Sequence, residues 1–231
     1  MSDAEAAKRV AAAAAVALVE DGMRLGLGTG STMRHAVAAL AQRIAAEGLH
    51  VTCIPTSIET EQQARALGIR LADFAAIDGL DLAIDGADEV ERGTLRLIKG
   101  LGGALLREKI VAQAAARFVI LADPSKIVDT LGTHTPLPIE VTRFGHEQTA
   151  RRIAALGAAP TLRLRDGAPF VSDGGNLILD CAGLAPIRDP QTLQWRLRAI
   201  AGVVETGLFL DGVERAIIGA PDGSVQVLRA G

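Results

Sequence analysis

Aromatic residues are scarce in this sequence: they make up 3% of it, with one tryptophan and no tyrosine. Proteins that hold single-stranded nucleic acid stack its bases on aromatic rings, so such a platform is not expected. Cysteine is as rare. Cys53 and Cys181 show no CxxC spacing, and His35, His50, His134 and His146 fall into no ligand pattern. Both shortages argue against a disulfide scaffold or a structural zinc site, and a reducing, cytoplasmic setting is the expectation. Nor does charge of one sign dominate. Lys and Arg total 24 against 27 Asp and Glu, a net charge of -3, which gives no general attraction to nucleic acid or anionic lipid. Long apolar runs are absent too. Val10 to Val19 is unbroken and follows Lys8 and Arg9, but a bilayer needs about 20 residues. Asp3 and Glu5 occupy the place of a positive leader, and Glu20, Asp21 and Gly22 that of a cleavage site. The segment reads as a buried, alanine-rich helix opened by the Ser2–Glu5 capping pattern and closed by Gly22.

What is abundant is apolar surface in short blocks. With 231 residues and 49% hydrophobic content the chain is large and apolar enough for one large domain or two small ones. After the first helix, strand-like runs (Met23–Leu27, His50–Pro55, Leu80–Ile84, Leu95–Ile98, Phe118–Leu121) alternate with helical stretches at residues 32–47, 58–67 and 104–116. Such alternation predicts βαβ units. From Gly132 the pattern changes to a strand at Ile139–Thr142, a helix at His146–Leu156, a hairpin over 169–181 with Asp173-Gly174 as its turn, and a helix at Pro190–Ala199. The expected fold is therefore α/β: a Rossmann-like, doubly wound, mainly parallel sheet with an inserted smaller α+β domain. Residues 1–132 and 205–231 would form the first part, and 133–204 the inserted, ferredoxin-like one.

Three segments hold residues suited to chemistry. GLGTGST, residues 26–32, lies between a strand and a helix, where glycines admit a ligand and helix N–H groups with the Thr29, Ser31 and Thr32 hydroxyls suit an anion. A tight turn without a ligand would read the same. Its spacing is neither GxGxxG nor GxxxxGK[ST], so NAD and ATP binding are unsupported. In DLAIDGADEV, Asp85 and Asp88 fall at the carboxyl end of a strand, where open α/β sheets bind ligands. They could move hydroxyl protons or bind a cation, or Asp88 could cap a turn beside a solvated Asp85. In LIKGLGGALLREK, Lys99 ends a strand and Glu108 lies on the next helix, a plausible pairing of general base and charge stabiliser. Taken alone, Arg107, Glu108 and Lys109 also read as a mixed-charge surface helix. Composition favours the lysines. Only Lys8, Lys99, Lys109 and Lys126 interrupt an arginine-rich chain, and a compact ammonium is not interchangeable with a planar guanidinium at a small anion.

Together, GLGTGST, the Ser57-containing IPTSIETE, IDGADE, LIKGLGGALLREKIVA, LADPSK, PLPIEV, SDGGNLILD and the GLF tail closely resemble the A type of ribose-5-phosphate isomerase, in order over nearly the whole chain. The resemblance implies interconversion of ribose 5-phosphate and ribulose 5-phosphate in the non-oxidative pentose phosphate route, with no metal or organic cofactor. It puts the proton acceptor at Glu108. Asp85 would assist ring opening, Asp88 hold sugar hydroxyls, and Lys99 stabilise negative oxygen. Substrate-binding positions fall on Thr29, Gly30, Ser31 and Thr32; on Asp85, Gly86, Ala87 and Asp88; and on Lys99, Gly100, Leu101 and Gly102. Ser31, Thr32, Lys126 and Lys8 would hold the phosphate. A homodimer or larger homo-oligomer is implied, with a phosphosugar as the partner and neither nucleic acid nor membrane.

Two positions depart from that pattern. Leu101 interrupts the glycine run and is expected to bear on substrate affinity, while Leu106 stands where a threonine is common. Competing readings are another phosphosugar isomerase, an amino-sugar phosphate deaminase, which would want a histidine near the reacting carbons, or a sugar-phosphate sensor. The sensor would be expected to carry a DNA-binding domain, for which the stretch before Met23 is too short.

Overall fold

The computed structural model describes residues 2–231. Its first helix, α1 (Asp3–Val16), starts as the capping pattern requires, with Ser2 Oγ accepting from the Glu5 N–H. It stops six residues before Gly22. Arg43 takes over at that point: its Nη1 donates to the carbonyl of Val16, the last helical residue (2.6 Å), and to that of Val19 just beyond (3.1 Å), so these groups are bonded without continuing the helix.

The main sheet takes the order β16-β15-β6-β3-β1-β2, formed by β1 (Arg24–Leu27), β2 (Thr52–Pro55), β3 (Leu82–Gly86), β6 (Phe118–Ala122), β15 (Val213–Gly219) and β16 (Val225–Leu228). All neighbours are parallel except β16, an antiparallel edge. Helices α2 (Ser31–Glu47), α3 (Ile58–Ala66) and α4 (Leu105–Gln113) link these strands. The period of two in a strand sends alternate side chains to opposite faces. Val119 and Leu121 join a core with α1 and α2, whereas Phe118, Ile120 and Ala122 join one with Val111 of α4. Burial on both faces explains why these strands read as continuous apolar runs.

A second sheet, β14-β5-β4-β7, is built from β4 (Glu89–Glu91), β5 (Leu97–Ile98), β7 (Ile127–Val128) and β14 (Leu208–Phe209). A third, β13-β8-β12-β9, contains β8 (Leu137–Val141), β9 (Ala159–Leu162), β12 (Leu177–Ala182) and β13 (Val203–Thr206). Ile139, Val141, Leu177 and Leu179 of this sheet share a core with Ile153 of α5 (His146–Ala154) and Leu197 of α6 (Pro190–Arg198).

Two local expectations change. The strand expected at Leu95–Ile98 shrinks to β5, because Leu95 has φ 56° and cannot continue an extended run. The hairpin expected around Asp173-Gly174 survives only as a turn, with a single bridge between Val171 and Leu177. The paired hairpin lies one turn earlier, joining β10 (Leu164–Arg165) to β11 (Ala168–Pro169) through Asp166 (φ 53°) and Gly167 (φ 80°). Positive φ at both central residues is what a type I′ turn demands. Among the described residues, no helix is long and apolar enough to cross a membrane.

Candidate active site

β1 and β3 lie side by side, and their carboxyl ends carry GLGTGST and IDGADE into one crevice. Asp85, 2% exposed, sits under the Gly28–Thr29 turn, its Oδ1 accepting from the N–H groups of Thr29 (3.1 Å) and Gly86 (2.7 Å). A Cβ on Gly28 would stand 2.0 Å from that oxygen, so only glycine lets the carboxylate approach. The turn is propped from below: Thr60 Oγ1 donates to the Gly28 carbonyl (2.9 Å), and the hydroxyls of Thr29 and Thr56 are 2.7 Å apart. IPTSIETE therefore supports the glycine loop. Its Ser57 caps α3 through the Thr60 N–H.

Lys99, directly after β5, reaches back over this carboxylate. Its Nζ is 3.0 Å from Asp85 Oδ2 and 3.3 Å from Glu108 Oε1, and donates to the Gly86 carbonyl at 2.5 Å. Burial opposes the ammonium, but Asp85 and then Glu108 outweigh it and hold its pKa above the usual lysine range. Glu108, on the first turn of α4, is also buried. The other oxygen of its carboxylate, Oε2, has no hydrogen-bond partner. Burial first, and the negative charge of Asp85 second, push its pKa up to about 8, against the pull of Lys99. Burial likewise raises Asp85, although Lys99 and two backbone N–H groups oppose it. A carboxyl poised near neutrality, with a free oxygen, suits a group that takes up a proton and returns it.

The cleft above these groups has a volume of about 280 Å³. At its other end is the start of α2, whose cap residue Gly30 offers no side-chain acceptor to the helix N–H groups. Ser31, Thr32, Lys8 and Lys126 surround that end, an arrangement fitted to a phosphate by dipole, donors and charge. Lys8 is held by Glu5 Oε1 (2.8 Å), whose Oε2 meets His35 Nε2 at 2.8 Å. A larger cavity of about 500 Å³ beside α3 and α4 is lined by Ile54, Phe74 and Ile110 among others, and holds none of these groups.

Thirteen positions singled out in the sequence line the cleft: Lys8, Thr29, Gly30, Ser31, Thr32, Gly86, Ala87, Asp88, Lys99, Gly100, Gly102, Glu108 and Lys126. Asp85 and Leu101 do not. Asp85 lies beneath the floor, bonded to Lys99, and Leu101 is 40% exposed. Leu101 contributes its backbone: its N–H donates to Asp88 Oδ2 at 2.9 Å, and its carbonyl accepts from Arg163 at 3.0 Å. Arg163 also holds the Gly100 carbonyl (2.9 Å), a role no local motif announced. Lys109, readable as part of a surface helix, is 6% exposed. Leu105, Glu108, Lys109 and Ala112 share one helical face, and that 3-4 spacing is the signal that could have found it.

A buried carboxyl 3.3 Å from an ammonium, and a helix start ringed by hydroxyls and lysines, meet at the carboxyl edge of a mainly parallel sheet, a layout suited to the phosphosugar-isomerase class. Comparison with known proteins agrees. The family model described as ribose 5-phosphate isomerase A (phosphoriboisomerase A) matches residues 52–223. Ribose-5-phosphate isomerase A of Gloeobacter violaceus is 52% identical over 226 residues, covering 98% of this chain and 97% of the relative. Two solved structures superpose over nearly all of both chains. Ribose 5-phosphate isomerase A from Methanocaldococcus jannaschii does so with TM-score 0.91 and 40% identity, over 96% of this chain and 97% of that one. Ribose 5-phosphate isomerase from Plasmodium falciparum gives TM-score 0.93 and 37% identity, over 97% and 98%. The chain belongs to the ribose 5-phosphate isomerase A family.

Proposed function

We propose that this protein interconverts ribose 5-phosphate and ribulose 5-phosphate through an enediolate, with Glu108 as the base. The observation that carries the reading is the Glu108 carboxyl: buried, 3.3 Å from the Lys99 ammonium, and with one oxygen unpartnered in the cleft floor. Glu108 takes the proton from carbon 2 of the open-chain aldose, and the electron pair left behind forms the carbon–carbon double bond. Negative charge that builds on the carbonyl oxygen meets Lys99. Glu108 then delivers its proton to carbon 1, while a hydroxyl proton passes from oxygen 2 to oxygen 1, so atoms and electrons balance.

Asp88, at the cleft wall, takes the sugar hydroxyls, and Asp85, acting from beneath through Lys99, assists ring opening. Thr29 to Thr32, Lys8 and Lys126 hold the phosphate, and Gly86, Ala87 and Gly100 to Gly102 give the sugar its backbone walls. We further propose that residues 1–132 with 205–231 form the catalytic domain and 133–204 an inserted one. A homodimer or larger homo-oligomer working in the cytoplasm completes the reading, with a free phosphosugar as substrate.

The test is turnover with purified protein. Conversion of ribose 5-phosphate to a ketose, with unphosphorylated ribose turned over far more slowly, is the expected result. No conversion of ribose 5-phosphate, or equal use of the two sugars, would contradict it.

A further inference from the structure

Lys109 is a buried titratable group that the proton transfer leaves unused. It follows Glu108 on α4, and its three donors are all engaged: Glu205 Oε1 at 2.9 Å, the Thr206 carbonyl at 2.7 Å and the Leu208 carbonyl at 2.7 Å. These acceptors flank Gly207, at the corner between β13 and β14. The same corner carries Lys99. The Gly207 carbonyl accepts from the Lys99 N–H at 2.9 Å, and a Cβ on Gly207 would stand 2.3 Å from the Lys99 carbonyl oxygen, so the two backbones lie against each other. Phe209, next along, has Lys109 Nζ 4.6 Å and Lys99 Nζ 5.6 Å from its ring centre.

We propose that Lys109 is the positioning residue that fixes Glu108 against Lys99, by tying α4 to the corner on which the Lys99 backbone also rests. The inference rests on the reading of Glu108 as base. A three-residue corner is gripped from one side by the ammonium of α4 and from the other by the strand end that bears Lys99. The distance between base and charge stabiliser is thereby set from behind, by a group that touches no substrate. Chemistry accounts for lysine here in a chain that otherwise uses arginine: three acceptors converge on a point, which a tetrahedral ammonium satisfies and a planar fork does not. Groups facing Lys109 are Glu205, Arg198 and Asp211. Burial, the largest influence, lowers its pKa to about 8, and Glu205 works against that.

A role confined to stability makes a different forecast. Glu205 is also held by Arg198, through Nη2 at 2.5 Å and Nε at 3.1 Å, and Leu208 also accepts from Gln194 at 2.9 Å. Lys109→Met therefore leaves no lone buried charge, and the fold is expected to survive. A displacement of about 1 Å in a proton-transfer group can cost on the order of 10²-fold in rate.

The experiment compares wild type, Glu108→Gln, Lys109→Met and Lys109→Arg with ribose 5-phosphate, on protein shown to be folded by circular dichroism. In Lys109→Met, kcat is expected to fall about 10- to 100-fold with KM changed less than about 3-fold, because the phosphate end is built on other elements. The acid limb of its pH profile moves to higher pH, since Lys99 is the charge that restrains Glu108 against burial, Asp85 and Asp88. Lys109→Arg, which keeps charge and length, is expected to lose kcat in the same way and decides the matter if Lys109→Met does not fold. A lower Tm with wild-type kcat and an unmoved limb in a folded variant would overturn the inference. Absence of turnover in wild type would overturn the isomerase reading itself, and this inference with it; turnover in Glu108→Gln at the rate of the wild type would overturn Glu108 as the base, and this inference with it, while the isomerase reading stands. Active wild type, inactive Glu108→Gln and fully active Lys109 variants would overturn the positioning role alone.

Discussion

At the scale of single residues, the site works by placing charges where water does not screen them. Only the ionised form of Glu108 accepts a proton, and its pKa of about 8 lies above the ordinary glutamate value. The kcat/KM profile, which reports the free protein, is therefore expected to rise with pH through an acid limb near 8, and a limb near the usual carboxylate value would contradict this. Gly28 is a second residue-scale test. A methyl group there meets Asp85 Oδ1 at 2.0 Å, so either the turn or the carboxylate must move. Gly28→Ala is expected to cost about 1–3 kcal/mol of stability, measured by urea unfolding, together with a loss of turnover. Among the residues, Asp85, Lys99 and Glu108 stood out in the sequence because each sits at a strand or helix end beside glycines. Arg163 and Glu89 did not. Their partners are distant in the chain: Glu89 accepts from the N–H groups of Gly132 and His134 at 2.6 Å, and no local motif encodes that.

At the scale of elements, α2 and α4 supply different parts of the cleft. The start of α2 offers N–H groups without a side-chain cap, with Lys8 and Lys126 beside it, while α4 brings Glu108, the proposed base. Lys126→Gln is accordingly expected to raise KM about tenfold or more, the loss of one charge-assisted hydrogen bond, while leaving the acid limb of the pH profile in place. Steady-state kinetics checks it, and an unchanged KM would remove Lys126 from the phosphate end. The parallel-sheet strands and the helices were legible because apolar runs and amphipathic stretches alternate with clear caps and glycine stops. The helix α4 was less so. Its inward face carries Glu108 and Lys109 between Leu105 and Ala112, and a charged pair reads as solvated until the β13–β14 corner and Lys99 are seen to cover it. In the second sheet β5 lies within the run expected as a strand at Leu95–Ile98, whereas β7 is two residues long, too short for any periodicity.

At the scale of the whole molecule, the α/β class follows from the order of elements, and the family from motifs spread over nearly the full chain. What the order alone does not convey is closure. Residues 203–209 return across the third sheet to pair with β5, and so bring the carboxyl-terminal part of the chain against Lys99 and Lys109. The cleft is thus bordered by elements from residue 4 to residue 126, braced from behind by segments far along the chain. Such a frame gives one carboxyl a fixed relation to one ammonium. The most direct measurement incubates wild type and Glu108→Gln with ribose 5-phosphate in deuterated water and follows ketose formation and hydrogen exchange at carbon 1. Wild type is expected to form ketose with exchange at a single face of carbon 1, and Glu108→Gln to bind the sugar phosphate while forming ketose at least about 10²-fold more slowly. Equal rates from the two proteins would contradict the account.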